Sequence, residues 1–233
     1  VVIWTLFEAV NLFLQNWYYV NVIPLRVIRW PGYALAYATV LPGLFETAEL
    51  LAALGLFKYS RVRPRISLSM QQSLFALGIV SLALVFLFPD YCYPLIWGSL
   101  TFILEPVNYR WGTKSILRDW ERGTTRTLLL LLTAGIVCGM LWEFWNFRAT
   151  TKWIYTVPFF EELKLFEMPL LGFLGFPPFT VECYCLYNFI SIFRHGRSWE
   201  EDSYRLNQHK KVHSTLIVLT IIGGIFFCSV IFH

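Results

Sequence analysis

The chain has 233 residues, of which 57% are hydrophobic, 18% aromatic and only 15% charged, and its mean hydropathy is +0.55. A soluble domain of this length is far more polar, so the composition excludes that class and indicates a membrane protein. The net charge of +4 reflects an excess of Lys and Arg in the loops on one side of the membrane, so it does not predict a nucleic-acid partner.

Seven apolar segments are candidates for transmembrane helices, since a span needs about 20 apolar residues. In chain order they are residues 1–17, 32–57, 71–90, 93–107, 127–149, 167–193 and 213–232. The fourth is the shortest. The sequence therefore predicts an all-α fold, a polytopic transmembrane bundle of seven spans.

Basic residues mark one side of this predicted bundle. Loops 58–65, 108–126 and 194–212 hold 14 of the 19 Lys and Arg residues. The positive-inside rule makes these three loops cytoplasmic, and strict alternation of seven spans gives the same partition. The aromatic loops 17–31 and 150–166 are then predicted to face outward.

An internal repeat relates the two halves of the chain. Two pairs of identical residues are 135 positions apart, and four more pairs are 136 positions apart. The pairs are Glu8 with Glu143, Asn11 with Asn146, Trp17 with Trp153, Tyr19 with Tyr155, Pro42 with Pro178, and Glu46 with Glu182. Most of these residue types are rare in a span. We therefore predict two tandem units, residues 1–90 and 91–233.

Each unit is expected to hold four spans. Segment 71–90 would close the first unit, and 213–232 would close the second as a single helix behind a charged linker. The counterpart of segment 93–107 would precede Val1, so the first helix of the first unit is expected to be missing. An even number of spans makes the two units parallel, related by an axis along the membrane normal.

Two glutamates in each unit form the predicted polar centre. Glu143 and Asn146 share a helix face, and Glu143 and Glu182 each lie about 15 Å below the outer surface at 1.5 Å per residue. The first unit repeats this arrangement with Glu8, Asn11 and Glu46. No Lys or Arg in these spans is within reach. At least one carboxyl of each pair is therefore expected to be neutral at pH 7, hydrogen-bonded to its partner or to the Asn amide.

Two interpretations of these carboxyls stay open. A pair that shares a proton can act as general acid and base, and an ionisable residue in a span is a functional candidate. The same pair can also serve only to join helices.

The aromatic residues of the outer loops have two readings as well. Trp17, Tyr19, Trp153 and Tyr155 are either interface anchors or the lining of a substrate mouth. Pro178, with Pro42 and Pro177, is expected to break its helix and open space beside the glutamates.

Motifs for metals, cofactors and soluble-enzyme chemistry are missing from the sequence. The four His lie in loops or at ends, so no span carries a pair of haem ligands. The five Cys show no CxxC spacing and are expected to be inert. No Gly-rich phosphate loop, nucleophile elbow or HExxH occurs. Neither a metal nor a cofactor is predicted.

The segments VLPGLFETAELL, FPDYCYPLIWGSLTFILEPVNYR and LWEFWN with KWIYTVP resemble a group of bacterial polytopic membrane proteins with a tandem repeat. The resemblance covers nearly the whole chain. It implies an integral protein of the bacterial inner membrane, and it carries no activity.

A more distant likeness is to the small membrane lycopene cyclases. Their three-helix units carry an aromatic-Asp motif at a helix end, a W-x-Y loop, and P-x-E-E at the start of the next helix. The matching positions are Trp145, Asn146, Ala149, Trp153, Tyr155, Pro178 and Glu182, with a fainter copy at Asn11, Trp17, Tyr19, Pro42 and Glu46. Here Asn replaces the Asp and a single Glu replaces the double Glu. The resemblance implies an isoprenoid ligand.

Two functions of different classes follow. In the first, the protein binds or modifies an isoprenoid or carotenoid-like lipid. The four glutamates would exchange protons, the two asparagines would hold them, and the Trp and Tyr pairs with Pro178 would line the mouth. In the second, the protein is a non-catalytic subunit of a larger membrane complex, docked through helix 213–232. Proton-coupled transport is a third possibility without an evident substrate site.

Overall fold

The computed structural model describes residues 1–62, 64–159, 163–194 and 198–199, and most of these residues are helical. The α-helices are α1 (Val2–Leu14), α2 (Arg26–Ala53), α3 (Leu68–Leu87), α4 (Pro89–Cys92), α5 (Ile96–Trp111), α6 (Ile116–Glu121), α7 (Arg126–Arg148) and α8 (Phe176–Ser191). Short 3-10 helices span Tyr93–Leu95, Leu170–Gly175 and Ile192–Arg194. The strands are β1 (Trp17–Val20), β2 (Lys152–Tyr155), β3 (Lys164–Leu165) and β4 (Met168–Pro169).

Three helical segments of the described chain are long and apolar enough to cross a membrane: Leu68–Leu87, Arg126–Arg148 and Leu170–Arg194. This confirms a helical membrane protein. Of the seven apolar segments predicted as spans, 71–90, 127–149 and 167–193 coincide with these three, whereas 1–17, 32–57 and 93–107 form helices that do not meet this requirement. The seventh, 213–232, lies outside the described residues, and so does most of loop 194–212.

The longer helices pack in a row. Helix α2 contacts α7, α7 contacts α8, α8 contacts α5, and α5 contacts α3, while α1 contacts α2 and α8. The α7–α8 contact is close, because Gly135 and Gly139 stand one turn apart where α7 meets Phe176. Small residues spaced in this way let two helix backbones approach in a membrane.

The prediction of an all-α fold is wrong in one respect. β1 and β2 pair antiparallel, as do β3 and β4. The two loops that contain β1 and β2 were both predicted as outward-facing aromatic loops. Their aromatic residues also favour strands. We call the β1–β2 pair the aromatic ribbon.

The predicted proline break does not form in α2, and Pro177 and Pro178 lie just after the 3-10 helix Leu170–Gly175 passes into α8. Helix α2 runs unbroken through Pro42. Pro177 and Pro178 lie in the first turn of α8. Backbone N–H groups of a first turn have no acceptor within the helix, so a proline there costs no hydrogen bond. They therefore begin this helix and do not interrupt it.

Candidate functional site

Two asparagines fold the ends of α1 and α7 back onto the aromatic ribbon. The Asn146 side chain donates from Nδ2 to the Trp153 carbonyl at 2.9 Å and accepts from the Trp153 N–H at 2.9 Å. Asn11 does the same to Trp17, donating at 2.8 Å and accepting at 3.2 Å. The sequence predicted that these amides hold the carboxyls. In the structure they hold the strand backbone instead, which positions the strand side chains.

The glutamate of each of these two helices, α1 and α7, accepts a hydrogen bond from the tyrosine of the strand that follows, β1 or β2. The Tyr155 hydroxyl donates to Glu143 Oε1 at 2.8 Å, and the Tyr19 hydroxyl donates to Glu8 Oε1 at 2.5 Å. A tryptophan N–H adds a second donor in each case, from Trp153 at 3.3 Å and from Trp4 at 2.8 Å. Glu143 is fully buried and Glu8 is 5% exposed.

The register of the ribbon brings the two motifs together. Trp17 pairs with Tyr155, and Tyr19 pairs with Trp153. Residues directly opposite each other in an antiparallel pair share a face, and so do residues two apart on one strand. The four aromatic side chains therefore lie on one face of the ribbon, with a Glu–Tyr hydrogen bond on either side.

A cavity of about 870 Å³ opens beneath this face. Its wall is mostly aromatic and aliphatic. All five residues predicted to bind substrate line it, namely Trp17, Tyr19, Trp153, Tyr155 and Pro178. Asn146 also lines it, whereas the carboxyls of Glu8 and Glu143 lie behind the tyrosines.

Burial keeps both tyrosines of the site in their neutral form. Loss of solvent around each hydroxyl is the main cause that raises the pKa of Tyr155 and Tyr19 above the usual value, and the neighbouring Glu143 and Glu8 raise it further. Both phenols therefore keep their protons across the physiological range. Each is a fixed donor between a carboxyl and the cavity.

The predicted hydrogen bond between the carboxyls of Glu143 and Glu182 does not form. Glu182 is fully buried, and its Oε1 accepts the backbone N–H of Leu100 at 2.9 Å. Trp97 has a non-helical ψ of 29°, so α5 is kinked one turn before Leu100. Helix α8 packs between α5 and α7. The bond to Leu100 shows that Glu182 lies on the side of α8 that faces α5, so it joins α8 to α5.

Glu46, the sequence counterpart of Glu182, is exposed on α2. It therefore makes no buried pair with Glu8. Of the six residues predicted to be catalytic, the structure gathers Glu8, Asn11, Glu143 and Asn146 around the ribbon and leaves Glu182 and Glu46 elsewhere.

A row of cavity residues on α2 is not among the site residues predicted from the sequence. Arg29, Tyr33 and Tyr37 line the cavity at intervals of four residues. This spacing places them on one helix face, and it was the available signal. Glu105 was also missed; it is buried, it accepts from Ser115 and from the Leu117 N–H, and it joins α5 to α6.

We expect Asn146→Ala to lower the free energy of unfolding by about 2 kcal/mol, because it removes two hydrogen bonds to the Trp153 backbone. The thermal unfolding midpoint in detergent would measure the loss. Asn146→Asp keeps the acceptor and should lose less. An unchanged midpoint for the alanine variant would show that the amide does not hold the ribbon.

Comparison of the chain with models of protein families, with curated proteins and with solved structures finds no match. The class of the protein therefore comes from its own fold. It is a helical membrane protein with a large aromatic cavity and buried glutamates behind its wall.

Proposed function

We propose that the protein binds an apolar lipid of the isoprenoid type in the aromatic cavity and modifies it by proton transfer. The observation that carries this proposal is the pair of Glu–Tyr hydrogen bonds, Glu8 with Tyr19 and Glu143 with Tyr155, whose tyrosines line one cavity. Sites for small ligands usually enclose roughly 300–1,000 Å³ with an apolar lining and few polar groups. The cavity fits this description.

The chemistry requires no change of oxidation state. One tyrosine gives its phenolic proton to one carbon of a C=C bond and takes the proton of the carboxylic acid behind it, which leaves a carbocation on the neighbouring carbon. The other tyrosine then takes a proton from an adjacent carbon and passes its own to the carboxylate behind it, so that a double bond forms again in a rearranged or cyclised lipid. Glu8 and Glu143 supply the acid and the base, and the apolar wall excludes water from the cation.

The proposal includes the tandem repeat and the topology predicted from the sequence. The same Asn–Trp and Glu–Tyr hydrogen bonds in both halves support two related units. The symmetric register of the ribbon supports them as well. Seven spans, an inner-membrane location in a bacterium and cytoplasmic loops 58–65, 108–126 and 194–212 belong to the same proposal. The likeness to lycopene cyclases suggests that the reacting part of the lipid is a linear polyene chain.

Deuterium transfer tests the proposed reaction. The purified protein in lipid nanodiscs would be incubated in D₂O with lycopene, and with the saturated hydrocarbon squalane as a control. Mass spectrometry of the extracted hydrocarbons should find deuterium in the polyene only, at a rate above that of protein-free nanodiscs. Absence of deuterium from the polyene would refute proton transfer.

A second candidate function is that of a non-catalytic subunit in a membrane complex. Glu46 and Glu49 are both exposed on α2. In the proposed seven-span arrangement α2 crosses the membrane, where exposed carboxyls are costly unless another protein covers them. Helix 213–232, also assigned to docking, lies outside the described residues. Purification from native membranes at low detergent discriminates: a stoichiometric partner lost on Glu46→Leu with Glu49→Leu would favour this function, and a homogeneous single chain would oppose it.

A further inference from the structure

We propose that the lipid carries an anionic group, a phosphate or a carboxylate, which Arg29 binds at one end of the cavity. The hydrocarbon chain then runs along Tyr33 and Tyr37 toward Glu8. This inference rests on the proposed function, because it concerns the ligand of the same cavity.

The first observation is a cation that has no counter-charge among the described residues. Among the described residues that line the cavity, Arg29 and Lys152 are the cationic ones. Lys152 forms an ion pair with Glu167. Arg29 forms no ion pair with the described carboxylates, and its Nε is buried without a hydrogen-bond partner. A guanidinium beside an apolar cavity is costly unless an anion pairs with it, and its fork of donors fits phosphate and carboxylate oxygens.

The second observation is the row of aromatic rings that leads away from Arg29. The rings of Tyr33 and Tyr37 are stacked, with centroids 6.0 Å apart and planes within 4°. Tyr37 is buried, and its ring lies 6.2 Å from that of Trp4, which donates to Glu8. Eight residues of helix separate Arg29 from Tyr37, about 12 Å at 1.5 Å per residue. The row therefore offers an apolar path from the cation to the carboxyl.

Both the open space beside Arg29 and the electrostatic field at that position favour the binding of an anion. Gly32 lines the cavity one turn away, and a Cβ built on it would meet no atom within 4 Å. Arg29 lies in the first turn of α2, which has no acidic residue and no side-chain cap. The positive end of the helix dipole therefore adds to the charge of the guanidinium.

The row occurs in one half of the chain only, which sets the direction of the ligand. The positions 136 residues further on are Leu165, Pro169 and Phe173. None of these carries a charge. The two halves thus present similar carboxyls and different ends, so that the anionic group lies at the α2 side and the apolar tail points toward Glu143.

Two C20 ligands that differ only at the head test the inference. Geranylgeranyl monophosphate and geranylgeraniol would be titrated into the detergent-solubilised protein, with the fluorescence of the cavity tryptophans as readout. We expect the monophosphate to bind about tenfold more tightly, the effect of one charge-assisted contact. Arg29→Gln should remove this difference and leave binding of the alcohol unchanged, and Arg29→Lys should retain part of it.

Arg26→Gln is the matched control, because it removes the same charge from the same helix end at a residue that does not line the cavity. It should preserve the preference. Equal binding of the two ligands by the unaltered protein would overturn the inference and leave the proposed function standing. If Arg26→Gln lost the preference for the monophosphate as fully as Arg29→Gln, the inference would be overturned, and the preference would come from general attraction to the positive charge of this helix end. Competition by inorganic phosphate at the concentration of the amphiphile would assign the site to free phosphate instead. If neither C20 ligand binds, the proposed function fails as well.

Discussion

Replacing Glu8 and Glu143 together by Gln is expected to lower the rate of deuterium transfer to the polyene at least about 100-fold, the usual contribution of a general acid or base. Gln has nearly the shape of Glu, and its Oε1 can still accept from Tyr19 or Tyr155. It has no acidic proton to give and is too weak a base to take one. Binding of the lipid should therefore survive while transfer is lost.

Glu49→Gln is the control for this experiment, since it alters an exposed carboxyl of α2 away from the cavity. It should leave the rate unchanged. Full transfer in the double variant would show that the ribbon carboxyls are not the acid and base. Loss of transfer in Glu182→Gln, with the fold intact, would restore the pair of Glu143 and Glu182 expected from the sequence.

Gly135→Leu is expected to have the largest effect on stability. A Cβ on Gly135 would lie 2.5 Å from the Phe176 carbonyl oxygen and 2.6 Å from the Thr180 hydroxyl. The carbonyl belongs to the backbone of α8 and cannot turn away, so α7 and α8 must separate. Overpacking usually costs about 1–3 kcal/mol and occasionally more, and a whole leucine side chain at this contact should exceed that range.

The thermal unfolding midpoint and the recovery of monodisperse protein in detergent would measure this effect. Gly135→Ala should already lower the midpoint. Gly32→Ala is the matched control, because the glycine is also helical and its Cβ would meet open space. It should be neutral or slightly stabilising, since Ala favours a helix more than Gly does. Equal midpoints for the two alanine variants would show that α7 and α8 do not pack as described.

Much of this site could be predicted from the sequence, because it is built from residue types that are rare in transmembrane spans. Glu8 with Asn11 and Glu143 with Asn146 could be recognised by their spacing, and Trp17, Tyr19, Trp153 and Tyr155 by their repeated order. All five residues assigned to substrate binding line the cavity. The membrane class followed from hydropathy alone, because a span must be apolar along its whole length.

The parts that could not be predicted depend on contacts distant in sequence. The strands of the ribbon are more than 130 residues apart, and four residues of mixed aromatic character are also typical of a membrane-interface loop. Glu46 and Glu182 occupy matching positions, yet only Glu182 has α5 beside it with a free Leu100 N–H to bond. The spacing of residues in the sequence predicts which of them share a helix face. Which element packs against that face depends on the tertiary fold.

The lipid carried by the purified protein shows whether the aromatic cavity binds an isoprenoid. Mass spectrometry would compare the unaltered protein with Gly32→Phe, whose ring would occupy the part of the cavity beside Arg29, and with Ala34→Phe, an exposed position of α2 that does not line it. We expect an isoprenoid lipid in the unaltered protein and in Ala34→Phe, and its loss from Gly32→Phe. The same lipids in all three proteins, or no isoprenoid in any of them, would contradict this expectation.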